Sequence, residues 1–314
     1  MRLLVAATAA ALTLQGAAFA QDQADFGPLI SVERLSAVQS TLDPLVIDIR
    51  APGENGFGGG HIEGAVNAPY GLFRGPSDNP GQLVPEEVLT EVLSGIGVTA
   101  DRPTVVVYQG ANETDFGAAA RVYWTLKSSG VSTLAILNGG VNAWTAAGEP
   151  LTTQAAQPVP SDFTVTFSEQ WLATTDDVRA VVAGDEEALL LDARPEEFWS
   201  GKTAHAAAAK PGTLPQSQYF THSGWFDGGP AIVDADAARA LAAEKGYTSE
   251  TEIVSFCNTG HWAATNWFAL SELAGIENVK LYPESMVGWS NAGYDMANVP
   301  GLLQNLWSQI KGVF

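Results

Sequence analysis

The sequence predicts an α/β fold with two domains, each a mainly parallel sheet with helices on both faces. Two observations predict it: short β-branched runs alternate with longer helical patterns, and the whole arrangement occurs twice. Strands are expected over Leu45–Ile49, Thr104–Tyr108, Thr133–Leu137, Ala188–Ala193, Glu252–Phe256 and Val279–Tyr282. Helices are expected near Pro85–Leu93, Thr114–Ser128, Thr175–Ala183, Asp236–Lys245 and Trp262–Leu273.

An internal repeat is the evidence for two domains. An apolar strand ending in Asp-x-Arg occurs at 46–50 and again at 190–194, so that Asp192 follows Asp48 by 144 positions (192 − 48). Two pairs of tryptophans repeat with offsets of 143 and 145 positions, namely Trp124 with Trp267 and Trp144 with Trp289. Such similar offsets indicate a tandem duplication.

The ends of the chain and the break between the repeats set the expected boundaries. Arg2, an apolar stretch and then Ala18-Phe19-Ala20 are typical of a secretory signal peptide over residues 1–20. The first domain is then expected over 21–150, a linker of proline and small polar residues over 151–160, and the second domain over 161–314. We therefore expect a periplasmic or secreted protein with no membrane-spanning segment.

Composition narrows the classes of partner. The formal net charge of the 314 residues is −20, which argues against nucleic acid and anionic lipid as partners. An anionic substrate would have to be attracted locally, because the overall field repels it. The histidines are scattered and only one cysteine is present, so no metal site and no cofactor are expected; the histidines are His61, His205, His222 and His261.

That single cysteine, Cys257, directly follows a predicted buried strand. A short polar loop begins there, and a loop of this kind can direct several backbone N–H groups at one sulfur and favour its anionic form. The loop residues expected to bind the sulfur are Asn258, Thr259, Gly260, His261, Trp262 and Ala263. A lone thiol in an oxidising compartment is either buried and inert or kept as a reactive nucleophile.

At these residues the chain resembles a tandem-domain rhodanese, a sulfurtransferase family. The first repeat has Asp48-Ile49-Arg50, Gly60-His61-Ile62-Glu63-Gly64-Ala65 and Gly139-Gly140-Val141-Asn142-Ala143-Trp144, which are similar to family motifs in the same order. The second repeat has the family's catalytic frame, a cysteine followed by five loop residues, with glycine third after the cysteine. The equivalent strand of the first repeat ends at Tyr108 without a thiol, so only the second domain is expected to be covalently active.

The resemblance implies that Cys257 takes sulfane sulfur from a small anionic donor such as thiosulfate and passes it, as a persulfide, to a thiophilic acceptor. Cyanide, a small thiol or a protein is left open as the acceptor. His261 is expected either to present positive charge or move a proton, or to be a solvent-facing loop residue. Asp192 and Arg194 are expected behind the loop, with Arg194 paired to Asp192 or Glu197.

Other functions stay open at this point. A related phosphatase needs an arginine that ends a longer loop, and no arginine follows Cys257, so this alternative is poor. A sulfurtransferase using another donor, such as 3-mercaptopyruvate, is an alternative because the loop lacks the basic residues of thiosulfate-using relatives. A non-catalytic persulfide carrier that serves a partner is the competitor from another class.

Overall fold

The computed structural model describes residues 26–301. The expected signal peptide at 1–20 and the apolar tail at 302–310 lie outside the described residues. The described part contains two parallel sheets, one built from each repeat, and this confirms the predicted α/β class. No helix within residues 26–301 is long and apolar enough to cross a membrane.

The first sheet has five parallel strands in the order β1-β5-β4-β2-β3. These strands are β1 (Leu29–Ile30), β2 (Leu45–Asp48), β3 (Val66–Asn67), β4 (Thr104–Val107) and β5 (Leu134–Leu137). The helices of this domain are α1 (Val32–Leu42), α2 (Glu86–Gly95), α3 (Glu113–Ser128) and α4 (Gly140–Ala146). Strands β2, β4 and β5 are buried along their whole length, which accounts for their continuous apolar runs.

The second sheet repeats this topology with four parallel strands in the order β7-β6-β8-β9. These strands are β6 (Leu189–Asp192), β7 (Gln218–Tyr219), β8 (Ile253–Phe256) and β9 (Val279–Leu281). The helices are α5 (Thr175–Ala183), α6 (Glu196–Trp199), α7 (Ala235–Glu244), α8 (Trp262–Trp267), which continues as a π-helical stretch over Phe268–Leu273, and α9 (Ser285–Asn291).

The order in which the chain adds strands reverses beside β6 of the second sheet, although all its strands run parallel. From β6 the chain first adds β7 on one side and then crosses to add β8 on the other. A crevice forms at the carboxyl ends of parallel strands where the order reverses in this way, and it is the usual ligand site of such sheets. Asp192 and Cys257 lie at this point, because they end β6 and follow β8.

Every strand and helix expected from the pattern is present, with ends that differ by a few residues. The pattern missed the two-residue strands β1, β3 and β7, which are too short to leave a period, and the short helices α4, α6 and α9. It also missed α1, although the buried residues of α1 have helical spacing. One repeat match was wrong in detail. Trp124 lies twelfth in α3, whereas Trp267 is the sixth residue of α8, so these two tryptophans do not occupy equivalent positions.

The two domains share one hydrophobic core. Side chains of α3 and of α8 with its π-helical extension pack in one buried cluster, where Phe116 and Tyr123 contact the ring of Phe268. Polar contacts close the same interface, since Glu272 accepts from Tyr123 Oη at 2.7 Å and from Lys127 Nζ at 2.8 Å. A continuous apolar interface holds the first domain against the end of the second sheet where Cys257 lies.

Candidate active site

Cys257 is the first residue after β8, and its side chain is 1 % exposed. It belongs to the apolar cluster that both domains share. Its neighbours along the chain nevertheless form a polar loop: Asn258 and Thr259 are buried polar residues, while His261 and Trp262 are partly exposed. The thiol therefore lies beneath a polar loop at the domain interface.

Several backbone N–H groups of this loop are not used in hydrogen bonds within the described residues. Gly260 adopts a left-handed conformation with φ +68°, which turns the chain back before α8 begins. Within residues 26–301, the N–H groups of Asn258, Thr259, Gly260 and His261 donate to no acceptor. Successive free N–H groups in a turn of this type form a concave anion site, which suits a sulfur anion on Cys257.

Ser285 fixes the backbone of Cys257, and sequence reasoning missed it. Its Oγ accepts from the Cys257 N–H at 3.0 Å and donates to the Tyr282 carbonyl at 2.7 Å. Ser285 has φ +51°, a conformation that serine rarely adopts, and its counterpart in the first repeat is Gly140 with φ +60°. A serine at a position where the repeat has glycine was the signal that could have revealed it.

Asp192 and Arg194 support the loop from behind, as expected. Arg194 is 2 % exposed, and its guanidinium contacts both carboxylate oxygens of Asp192, at 2.9 Å from Nε to Oδ1 and 2.6 Å from Nη2 to Oδ2. Its Nη1 donates to Asn258 Oδ1 at 3.2 Å, and Thr213 Oγ1 donates to Asp192 Oδ2 at 2.7 Å. The buried pair thus holds the first residue after Cys257 in place, and Glu197 is not its partner.

Positive charge at the loop comes from the first domain, which sequence reasoning did not predict. Arg74 Nη1 donates to the Thr259 carbonyl at 2.8 Å, and Arg121 Nη1 donates to the Gly260 carbonyl at 3.3 Å. Burial, followed by the charge of Arg74, lowers the pKa of Arg121 to about 10, whereas Tyr70 and Cys257 act in the opposite direction. An arginine within the largely apolar stretch 116–126 was the available signal, because a charged side chain is rarely buried in a helix unless it binds a partner.

His261 is held by the first domain, so it is neither a free solvent-facing residue nor a source of positive charge, and its role in moving a proton stays a prediction. Its Nε2 lies 2.8 Å from the Thr114 carbonyl and must carry the proton, while Nδ1 accepts from Tyr70 Oη at 2.9 Å. Burial, with a further contribution from Arg74, lowers the pKa of His261 to about 3. The residue therefore ties the loop that follows Cys257 to the first domain and does not present positive charge at neutral pH.

Trp262 and Ala263 complete the expected loop set. The Trp262 ring stacks on His222 with 4.8 Å between ring centroids and an angle of 6°, and its Nε1 donates to Thr114 Oγ1 at 3.4 Å. His222 is buried, and this burial lowers its pKa to about 4. Ala263 is buried, and its carbonyl accepts from Ser255 Oγ at 3.0 Å. Both residues anchor the start of α8.

The chain matches the family model described as "Rhodanese-like domain" twice, over residues 31–147 and 174–292. Among curated relatives, the "Sulfur carrier protein TtuD" of Thermus thermophilus is 26% identical over 67% of this chain and 75% of its own length. The "Thiosulfate sulfurtransferase" of Azotobacter vinelandii is 28% identical over 86% of this chain and 96% of its own length.

A solved structure of the anaerobic ergothioneine biosynthesis enzyme from Chlorobium limicola, in complex with trimethyl histidine, superposes with a TM-score of 0.76. The match covers 87% of this chain and 70% of that chain at 17% identity, so it supports the fold alone. The two family matches span every strand of both sheets except β1, together with each domain's Asp-x-Arg segment, and a relative matched over 96% of its own length is named as a sulfurtransferase. The chain therefore belongs to the rhodanese family, as a sulfurtransferase with two rhodanese-like domains in tandem.

Proposed function

We propose that this enzyme transfers sulfane sulfur from an anionic donor such as thiosulfate to a thiophilic acceptor, through a persulfide on Cys257. One observation carries the proposal: Cys257 stands where the strand order reverses, and four backbone N–H groups without acceptors follow it. Cyanide or a thiol is the proposed class of acceptor. No second cysteine is present to resolve a disulfide, which fits a one-thiol cycle.

The chemistry requires two displacements. The Cys257 thiolate attacks the outer sulfur of thiosulfate, so that a Cys257 S–S bond forms while the S–S bond of the donor breaks and sulfite leaves with the electron pair. The acceptor then attacks the terminal sulfur of the persulfide, and the Cys257 thiolate leaves. The free N–H groups of the loop stabilise the anionic sulfur between the two steps.

The principal experiment compares the protein with Cys257→Ser. The wild type is expected to gain one sulfur on Cys257 after incubation with thiosulfate, seen by mass spectrometry of the intact protein, and to form thiocyanate catalytically from thiosulfate and cyanide. The serine variant should do neither. Equal turnover by the serine variant would refute the proposal. If Cys257 gains sulfur from 3-mercaptopyruvate but not from thiosulfate, the donor is 3-mercaptopyruvate and the thiosulfate part of the proposal is wrong.

A persulfide carrier is the second candidate. The 1 % exposure of Cys257 favours it, because a buried thiol can be loaded once and protected, and one relative carries the name of a sulfur carrier. A carrier loads stoichiometrically but turns over poorly without its partner. If thiocyanate forms in large molar excess over the protein, the protein acts as an enzyme. If only one equivalent of thiocyanate forms per protein molecule, the protein acts as a carrier.

We also propose that the enzyme is exported, on the basis of the signal-like pattern at residues 1–20. Cell fractionation followed by N-terminal sequencing tests this. A mature chain that begins at Gln21 is the expected result, and an uncleaved chain retained in the cytoplasm would contradict the proposal.

A further inference from the structure

Three arginines of the described chain have almost no exposed side-chain surface, and one of them differs from the other two. Arg50 and Arg194 each form a close ion pair with the aspartate two residues before them, at 2.7 Å and 2.6 Å. Arg121 is 1 % exposed, and no carboxylate of residues 26–301 lies within ion-pair distance of it. A buried cation without a counter-ion costs several kcal/mol, so an anion is expected to occupy its surroundings.

The contacts of Arg121 leave its charge uncompensated and part of its hydrogen-bonding capacity unused. Its terminal nitrogens reach only carbonyl oxygens, those of Gly260 and Gly81, both at 3.3 Å. Its Nε is buried and has no hydrogen-bond partner. The guanidinium also lies 5.3 Å from the centre of the Trp124 ring, a contact that compensates charge only weakly.

Arg121 is also close to the catalytic loop. A Cβ added to Gly260 would lie 2.3 Å from Arg121 Nη1, so the guanidinium occupies the space against the glycine of the loop. Arg74, partly buried and also without a carboxylate partner in the described residues, binds the neighbouring Thr259 carbonyl at 2.8 Å. Two cations from one domain therefore flank the loop that follows the thiol of the other.

We infer that Arg121, assisted by Arg74, is the electrostatic partner of the sulfur anion on Cys257 and selects anionic sulfur donors. The domain without a thiol thus supplies the cationic half of the site. A net charge of −20 repels an anionic donor at long range, and two uncompensated guanidinium groups reverse the local field where the sulfur reacts. The inference rests on the proposed function for the identity of the donor but not for the location of the charge.

Alkylation of the only cysteine tests the location of the charge without any turnover. Iodoacetate is an anion and iodoacetamide is neutral, so the ratio of their rate constants reports the potential at the sulfur. We expect Arg121→Met to lower the iodoacetate-to-iodoacetamide ratio at least about fivefold. Arg121→Lys should retain most of the ratio. Arg102→Met, which removes an exposed arginine paired with Asp43, is the matched control and should leave the ratio unchanged.

Arg74→Met keeps the experiment decisive if the buried substitution prevents folding, since Arg74 is partly exposed; it should lower the ratio in the same direction. Turnover measurements with charged and uncharged donors test which class of donor Arg121 selects. In Arg121→Met, kcat/KM for thiosulfate should fall about tenfold, and kcat/KM for an uncharged organic trisulfide should change little. An unchanged alkylation ratio in both folded variants, or no native alkylation by either reagent, would overturn the inference. Loss of turnover in Cys257→Ser, together with an unchanged ratio in Arg121→Met, would refute this inference and leave the proposed function intact.

Discussion

The loops that follow β4 and β8 have the same framework and differ in chemistry. Five residues separate strand from helix in both, 108–112 and 257–261. The carbonyl of the first loop residue accepts from Val141 N at 2.9 Å in one domain and from Met286 N at 3.0 Å in the other. Tyr108 thus stands where Cys257 stands, and the two sites diverged by side-chain replacement within a conserved backbone.

Three replacements close the first site. The Tyr108 ring is buried, and its hydroxyl accepts from Gly139 N at 3.2 Å and donates to the Pro230 carbonyl at 3.3 Å. The Asp115 carboxylate accepts the Ala111 N–H at 2.9 Å, which places negative charge where the second loop is proposed to bind an anion. Phe226 occupies the position equivalent to Arg74, four residues after the start of the matching turn. A rhodanese loop therefore needs a suitable environment as well as a thiol.

The largest effect is expected from moving the thiol between the loops. Cys257→Ser combined with Tyr108→Cys should lower kcat/KM for thiocyanate formation by at least about a thousandfold, because the nucleophile is lost and the new cysteine lies near the Asp115 carboxylate. Arg50 reaches Gln109 at 3.4 Å, but its charge is already paired with Asp48. Steady-state assays with thiosulfate and cyanide measure this. Activity regained by the double variant, relative to Cys257→Ser alone, would show that the first loop is already competent.

Removal of the buried arginines compares their structural and functional effects. Arg50→Met and Arg194→Met should each lower the free energy of unfolding by about 3–5 kcal/mol, because each leaves a buried aspartate without its partner. Urea denaturation followed by tryptophan fluorescence measures this change. Below the unfolding transition only Arg194→Met should also lose activity, since Arg194 holds Asn258 beside Cys257. Equal activity loss in both variants would mean that the effect is general destabilisation.

Acid should destabilise the second site through His222. Its folded pKa of about 4 lies below the usual value of 6.5, so the unfolded chain binds the proton first as pH falls. The contribution of His222 to the free energy of unfolding is fully present above pH 6.5 and declines by up to about 1.4 kcal/mol per pH unit down to pH 4. His222→Phe retains the stack on Trp262 and should make the decline less steep by the share of His222, while His261, whose pKa is lowered to about 3, continues to contribute. Denaturation curves at pH 7, 6, 5 and 4 provide the comparison, and identical slopes would exclude His222 as the cause.

The smallest effect is expected at Ser285. Ser285→Ala leaves the Cys257 N–H without its acceptor and should cost about 1–3 kcal/mol of stability. Ser285→Gly also loses the acceptor but relieves the left-handed backbone, so it should recover about 1 kcal/mol of that loss. Thermal denaturation and thiocyanate assays measure both variants. A glycine variant less stable than the alanine variant would contradict the assigned strain.

Much of the active domain followed from local pattern. Strand β8 was evident as an apolar run. The loop after it was also predictable, because the glycine third after Cys257 can be read directly from the sequence. The Asp192–Arg194 pair was also predictable, because the two side chains are only two residues apart and are buried together. Short edge strands such as β3 and β7 were not predicted, since two residues carry no period.

The sequence by itself determined the repeat, the α/β class, the single cysteine and the domain that carries it. Only the tertiary structure placed Arg74, Arg121 and Tyr70 beside a loop about 140 to 190 residues away in the chain, since no local pattern records a contact across a domain interface. It also decided that His261 is neutral, because a histidine's charge depends on burial and on the groups facing its two ring nitrogens.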